Sequence, residues 1–360
     1  MQSISEKIDV ISHFWVHYAC KYQTILKKLN WSEKHNPTFF ADAVEYLTFS
    51  SELVFEKYNP KTESLLSLTG AIQMMYVQQD LLDELRKIFC LPQAIKTGYV
   101  FRQMRNELIG HPISWDEKGN LKSTVLWNGG FDGESIDYVK YASENNFVPE
   151  RETIYTVSEL LEEHKQFVNK QLDEIINKIK CLVKIYKSQL KQIVNLQDDI
   201  TKFPIYLRLA QQLFEGVFIH SHAFKPEILQ HCYDKMDEHQ RYKYVIEYFI
   251  KTLRDLVGET LEELETGLLP HNRLIPADSI VFKWHSQTKN LTTVKGSNEL
   301  DYILTKLVER KPVCTPGDLR SYVNENSAAM SEISQMEKYY QHDMEYFAAY
   351  EYLCFLLGRS

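Results

Sequence analysis

One stretch limits the folds open to this chain more than any other. After Val157 the apolar residues fall into two interleaved seven-residue series, Leu172, Ile179, Tyr186 and Ile193 alternating with Val168, Ile175 and Leu182. Steps of three and four place them in one stripe along a helix, the pattern that packs helices at small crossing angles. The expectation is a long helix over residues 157–195 that returns along other helices of a bundle. A seam of this length also has the means to extend into a dimer contact.

Sequence before this stretch supplies the helices it would lie on. Ile4, Ile8, Ile11, Trp15, Tyr18, Tyr22, Ile25 and Leu29 repeat at helical spacing and predict a helix over 3–29. Asn36-Pro37 breaks the pattern, and Phe40, Val44, Leu47 and Val54 predict a second helix over 38–58. Asn59-Pro60 ends that one and opens a third, because proline is tolerated in a first helical turn; it follows Leu65, Leu68, Ile72, Met75, Leu82 and Leu85 to about Phe89. A fourth runs from near Pro92 to Gly110. Four helices on short connections imply an antiparallel bundle. Only 13 glycines in 360 residues fit helix better than a loop-rich or sandwich architecture.

The period changes after Gly110. Turn signals at Asp116-Glu117-Lys118-Gly119-Asn120 and Asn128-Gly129-Gly130 flank the β-prone run 123–127, on which 136–141 can pair back. The expected fold class is therefore all-α in the main: a helical bundle over 1–195 with a small β-containing insertion at about 113–156. A helical C-terminal domain of unassigned role follows over 196–360. Its predicted helices are 205–220, 226–264, 300–310 and 328–357, with a short β-prone run at 279–284.

A net charge of −8 excludes a broadly basic nucleic-acid coat, but not a local site built from a few arginines. The six scattered cysteines form no Cys-x-x-Cys pair and read as reduced, mostly buried thiols. No leader and no long apolar span is evident, so the expected location is the cytoplasm, with no membrane partner. A Gly-rich phosphate loop, a Gly-x-Ser-x-Gly elbow and a His-Glu-x-x-His helix are all absent, which removes P-loop hydrolases, serine hydrolases and zincins as leading readings. His220, His222, His231, Cys232 and His239 do not have the spacing of a structural zinc site, so neither a metal nor any other cofactor is expected.

Chemistry concentrates at Tyr99-Val-Phe-Arg-Gln-Met-Arg-Asn-Glu-Leu-Ile-Gly-His-Pro112. A metal-free cut of an RNA phosphodiester needs a proton taken from the 2′-hydroxyl and one given to the leaving 5′-oxygen. A histidine near its ordinary pKa does either. An arginine binds the non-bridging oxygens through paired hydrogen bonds and stabilises the charge that builds on them. Arg105, Asn106 and His111 supply a phosphate ligand, an orienting amide and a proton-transfer group. Six residues along a straight helix span about 9 Å, and the two ends point well apart around the axis. Gly110, a common helix-ending residue, and Pro112, which pushes His111 out of the α region, would let the ring fold back.

This run, Arg-Asn-Glu-Leu-Ile-Gly-His-Pro at 105–112, resembles the signature of the HEPN superfamily, Arg-x4-6-His on an all-helical bundle. Asn106 matches the polar residue that usually follows the arginine; Gln78-Gln79-Asp80 and the four-helix context also fit, over the first half of the chain. The resemblance implies a metal-independent endoribonuclease acting as a homodimer with a composite site at the interface. It implies products with a 2′,3′-cyclic phosphate and a 5′-hydroxyl, and a role as a toxin or antiphage effector held by a trigger or antitoxin partner. The chain departs from some family toxins, which carry a modifiable tyrosine two residues after the histidine; here that position is Ile113.

Plainer readings stand beside these. Arg105 and His111 also suit a surface arginine and a helix-ending turn, and a non-catalytic relative would use the same bundle to bind RNA, a nucleotide or a protein. Arg102, one turn before Asn106, is either a further phosphate contact or a solvated arginine. Asp80 reads better as a surface aspartate than as an orienting group. Trp115 and Trp127 read better as core or hairpin packing than as base-stacking platforms.

Overall fold

A computed structural model describes residues 2–20, 23–32, 38–59, 64–93, 100–110, 112–131, 134–151, 155–196, 199–213, 226–266, 298–308, 310, 312–323 and 326–359. The architecture is mainly helical with one small antiparallel sheet inserted after the helix that carries Arg105, as the patterning predicts. Among the described residues no helix is long and apolar enough to cross a membrane. Contacts divide the chain into two compact units, the first chiefly Met1–Lys21 and Ile25–Val183, the second chiefly Lys184–Gly267 and His271–Ser360.

In the first unit α1 (Ile4–Phe14) starts at a capping box, where Ser3 Oγ accepts the Glu6 N–H and Glu6 returns a carboxylate to the Ser3 N–H. It widens into a π-helical turn over Trp15–Ala19, closed by Cys20 N–H to the Trp15 carbonyl at 3.0 Å. α2 (Phe39–Ser51) ends in a second such turn, Glu52–Lys57. α3 (Leu65–Ile88) begins later than the proline at 60 suggests, because Ser64 is its cap and accepts the Ser67 N–H. α4 (Val100–Arg105) runs into a third π-helical turn, Asn106–Gly110. Leu91 to Gln93 are not helical, so the fourth helix does not start at Pro92.

The sheet follows directly: β1 (Ile113–Trp115), β2 (Leu121–Phe131), β3 (Ser135–Ala142), β4 (Glu150–Arg151) and β5 (Tyr155–Thr156). β2 and β3 pair as expected, with Thr124 opposite Lys140 and Val125 opposite Val139, but β2 runs on through Asn128-Gly129-Gly130, expected as a turn, with a shift of register between Leu126 and Phe131. The β1–β2 turn is made as its sequence directs: Asp116 Oδ1 accepts the N–H groups of Lys118 and Asn120, and Gly119 takes φ +81°. Ile136 and Tyr138 of β3 pack with Met104 of α4, Ile72 and Met75 of α3, and Leu160 in one core cluster. That cluster fixes the motif helix between α3 and the sheet. The edge strand is bare, with Ile113 and Trp115 each 70% exposed, so Trp115 is not packed in the hairpin. The side chain of Trp127 and the run 279–284 lie outside the described residues.

α5 (Val157–Leu196) is the long helix. All seven seam residues, Val168 through Ile193, are buried within the chain itself, which leaves this stripe covered without a second copy. In the first unit α5 is also held by ions: buried Lys7 lies 2.8 Å from Asp173, and buried Arg86 lies 2.5 Å from Glu174.

In the second unit come α6 (Phe203–Leu213), α7 (Pro226–Asp234), α8 (Gln240–Thr266), α9 (Asn298–Val308), α10 (Ser327–Lys338) and α11 (Asp343–Leu356). Two expected helices are each split. The predicted helix 226–264 breaks before Gln240 because the His239 ring caps α8, its Nδ1 accepting the Arg241 N–H at 3.1 Å. The predicted helix 328–357 breaks at Tyr339–His342, where His342 N–H turns back to the Tyr339 carbonyl at 2.8 Å. Leu304, Leu307, Leu319, Ile333, Met336 and Leu353 centre the core of this unit. The six cysteines are free thiols; Cys232, Cys314 and Cys354 are buried but Cys20, Cys90 and Cys181 are exposed, so burial holds for half of them.

Candidate active site around Arg105

Arg105 is the last residue of α4, and the turn that follows it is π-helical rather than α-helical. A π turn relates residue i to i+5, so it stacks Gly110 against Arg105 where an α turn would carry it past. The approach is close. A Cβ on Gly110 would stand 2.6 Å from Arg105 Nη1 and 3.3 Å from its Cζ. The guanidinium therefore curls toward the C-terminal end of the motif, onto the residue before His111. Gly110 is not in the left-handed region, so its lack of a side chain serves this approach and not a left-handed cap. His111 itself lies outside the described residues.

α3 supplies the bed for the arginine. Arg105 Nε donates to Gln73 Oε1 at 3.1 Å, Nη1 donates to Asn106 Oδ1 at 3.1 Å, and Cζ lies 4.4 Å from the centre of the Tyr76 ring. These described partners are all neutral. A guanidinium positioned without a carboxylate keeps its charge for an anion. Asn106 is exposed, and its amide oxygen is committed to Arg105, which leaves its NH2 group for other acceptors.

Arg102 sits one turn earlier on the same side. Its Cζ lies 4.5 Å from the same Tyr76 ring, and Nη2 donates to Tyr76 Oη at 3.3 Å. Nη1 donates to Gln79 Oε1 at 3.4 Å and meets Asp80 Oδ1 at 3.3 Å. Asp80 is a half-exposed surface aspartate, as the plainer reading has it, and it pairs with Arg102. Of the triplet 78–80, only Gln79 and Asp80 face the arginines.

Gln78 turns into the core. Its Nε2 donates to Ser51 Oγ at 3.3 Å and its Oε1 meets His164 Nε2 at 2.6 Å, so His164 holds its proton on Nε2. Burial of His164 lowers its pKa to about 3, which keeps the ring neutral. It is a core histidine, not a proton-transfer group.

Glu107, the one acid in the motif, is also withdrawn from chemistry. It accepts from Tyr138 Oη at 2.9 Å and from Gln103 Nε2 at 2.9 Å, and Lys140 Nζ lies 2.9 Å away. Its charge is neutralised while it ties the motif turn to β3. Sequence reasoning does not single out Gln73, Tyr76 or Glu107 for a role at the site. Gln73, Tyr76, Gln79 and Asp80 do form a polar stripe at three- and four-residue steps on α3, a signal open to view once the apolar stripe is set aside.

In the second unit the described members of the histidine-rich stretch have other partners. His231 meets Glu345 at 3.0 Å, while His239 faces Arg241 and Cys232 is buried. Among the described residues no group of three or more His, Cys, Asp or Glu is placed to hold a metal ion. His220 and His222 lie outside the described residues. In comparisons with known proteins, no family model, no curated protein and no solved structure matches the chain.

Proposed function

We propose that the chain is a metal-independent endoribonuclease of the HEPN type. Arg105 holds the scissile phosphodiester and the charge that develops on it, Asn106 orients the phosphate, and His111 moves the proton. The 2′-oxygen attacks phosphorus as it loses its proton, the P–O5′ bond breaks, and the 5′-oxygen leaves protonated. One observation carries this reading: the Arg105 guanidinium rests on neutral partners among the described residues and lies against Gly110, one residue from His111. An arginine held by neutral described partners at a half-buried position is suited to bind a phosphate.

The acting species, on the family resemblance, is a homodimer with a composite site, and the setting is a cytoplasmic toxin or antiphage effector under a trigger or antitoxin partner. The test is RNA cleavage in EDTA by the wild type and by His111→Ala. Wild type is expected to cut and His111→Ala to lose at least about a hundredfold, the lower range for a proton-transfer group. A folded wild type that leaves RNA intact, or a variant that cuts equally well, overturns the proposal. If Arg105→Ala weakens RNA binding while no cleavage occurs, the chain is a binding module built on the same arginine.

A further inference from the structure

We infer that Tyr76 is the positioning residue of a two-arginine site that reads a polynucleotide backbone rather than a lone phosphate. This rests on the reading of Arg105 as a phosphate ligand and adds to it a second cation and the group that sets both. Arg102 and Arg105 lie one helical turn apart on α4, and each guanidinium carbon is within 4.5 Å of the one Tyr76 ring centre. The two charges are thus closer together than twice that distance, in spite of their repulsion.

The ring offsets that repulsion. The negative face of a phenol attracts guanidinium groups, and its hydroxyl accepts from Arg102 Nη2 at 3.3 Å. Gln73 and Gln79, one turn to either side of Tyr76 on α3, accept from Arg105 and Arg102. One face of α3 therefore presents a ring and two amides that fix two arginines. Among the described residues a single carboxylate, Asp80, meets these arginines, and it does so at Arg102. A ligand with consecutive phosphates engages both guanidiniums.

The experiment measures binding of a fluorescent single-stranded oligodeoxynucleotide, which lacks the 2′-hydroxyl and cannot be cut, across a salt series. Each phosphate contact contributes about 0.7 to the slope of log K against log salt. Arg102→Gln and Arg105→Gln should each lower the slope by about that amount. Tyr76→Leu should weaken binding about tenfold, about threefold for each guanidinium it releases. Tyr76→Phe keeps the ring and should stay within about twofold of wild type. In the triple variant Tyr76→Leu, Arg102→Gln, Arg105→Gln, loss of the ring should add nothing beyond loss of the arginines. A ring that merely supports the fold would multiply the two effects, and that result overturns the inference. So does wild-type affinity and slope in Tyr76→Leu when Arg105→Gln is impaired. If Arg105→Gln itself binds and cleaves as wild type does, the underlying reading of the site fails as well.

Discussion

Replacing Gly110 with alanine separates the site from the fold. The added methyl would stand 2.6 Å from Arg105 Nη1, and an ordinary contact begins near 3.4 Å, so the guanidinium must retreat by nearly 1 Å. It is the free end of a long side chain, and Gly110 has no positive φ, so the backbone accepts the change. Alanine in place of a helical glycine is worth roughly 0.5–1 kcal/mol to the folded state. The melting temperature should hold or rise slightly. A misplacement of about 1 Å at a positioned catalytic group costs on the order of a hundredfold in rate. The expected result is therefore a kcat for RNA cleavage reduced tens- to a hundredfold in a protein at least as stable as wild type. The assay pairs single-turnover cleavage with thermal melting. Unchanged kcat, or a loss that tracks a falling melting temperature, would refute the assignment of Gly110 as the seat of the guanidinium.

His164 makes the first unit sensitive to acid. Its folded pKa is lowered to about 3 by burial from an ordinary 6.5, so below pH 6.5 the unfolded chain takes a proton that the folded chain refuses. Stability should fall by about 1.4 kcal/mol per pH unit, or about 3 kcal/mol by pH 4.5, and His164→Gln should remove that part of the slope in urea titrations; parallel profiles would contradict it. Glu345 acts in the second unit. Burial works to raise its pKa, but hydrogen bonds from Lys235, Tyr242 and His231 outweigh this and hold it at about 2. Its contribution is present above pH 4.5 and lost toward pH 2, and Glu345→Gln should flatten the acid limb there. Glu107→Gln removes the charge paired with Lys140 and should destabilise the chain by about 1–3 kcal/mol, read as a lower urea midpoint. An unchanged midpoint would mean that this tie to β3 does not hold the motif turn.

Features set by strict repetition are legible in the sequence. The seam from Val168 to Ile193 is buried throughout because a 3-4 repeat can face only one way on a helix. The β2–β3 pairing is legible from its β-prone runs, but its turn is not, since Asn128-Gly129-Gly130 lies within β2; Arg105 with Asn106 stands out as a motif. What stays hidden depends on side chains that meet across the fold. Neither split in the C-terminal helices carries Pro or Gly: one is made by an imidazole cap at His239, the other by a tight turn at Tyr339. The π turn after Arg105 has no sequence signature, yet it brings Gly110 under the arginine. Tyr76 is one of 22 tyrosines, and nothing in its own sequence neighbourhood marks it as the ring on which two arginines rest.

On the proposed function Arg105 binds the phosphate at which RNA is cut without metal. Mass spectrometry of the new 3′ ends made in EDTA tests it most directly. Wild type should yield 2′,3′-cyclic phosphate ends, and Arg105→Ala should lower their yield at least about a hundredfold, the loss expected when one charge-stabilising donor is removed. Ends bearing a 3′-hydroxyl, or cyclic ends formed equally by folded Arg105→Ala, would contradict the account.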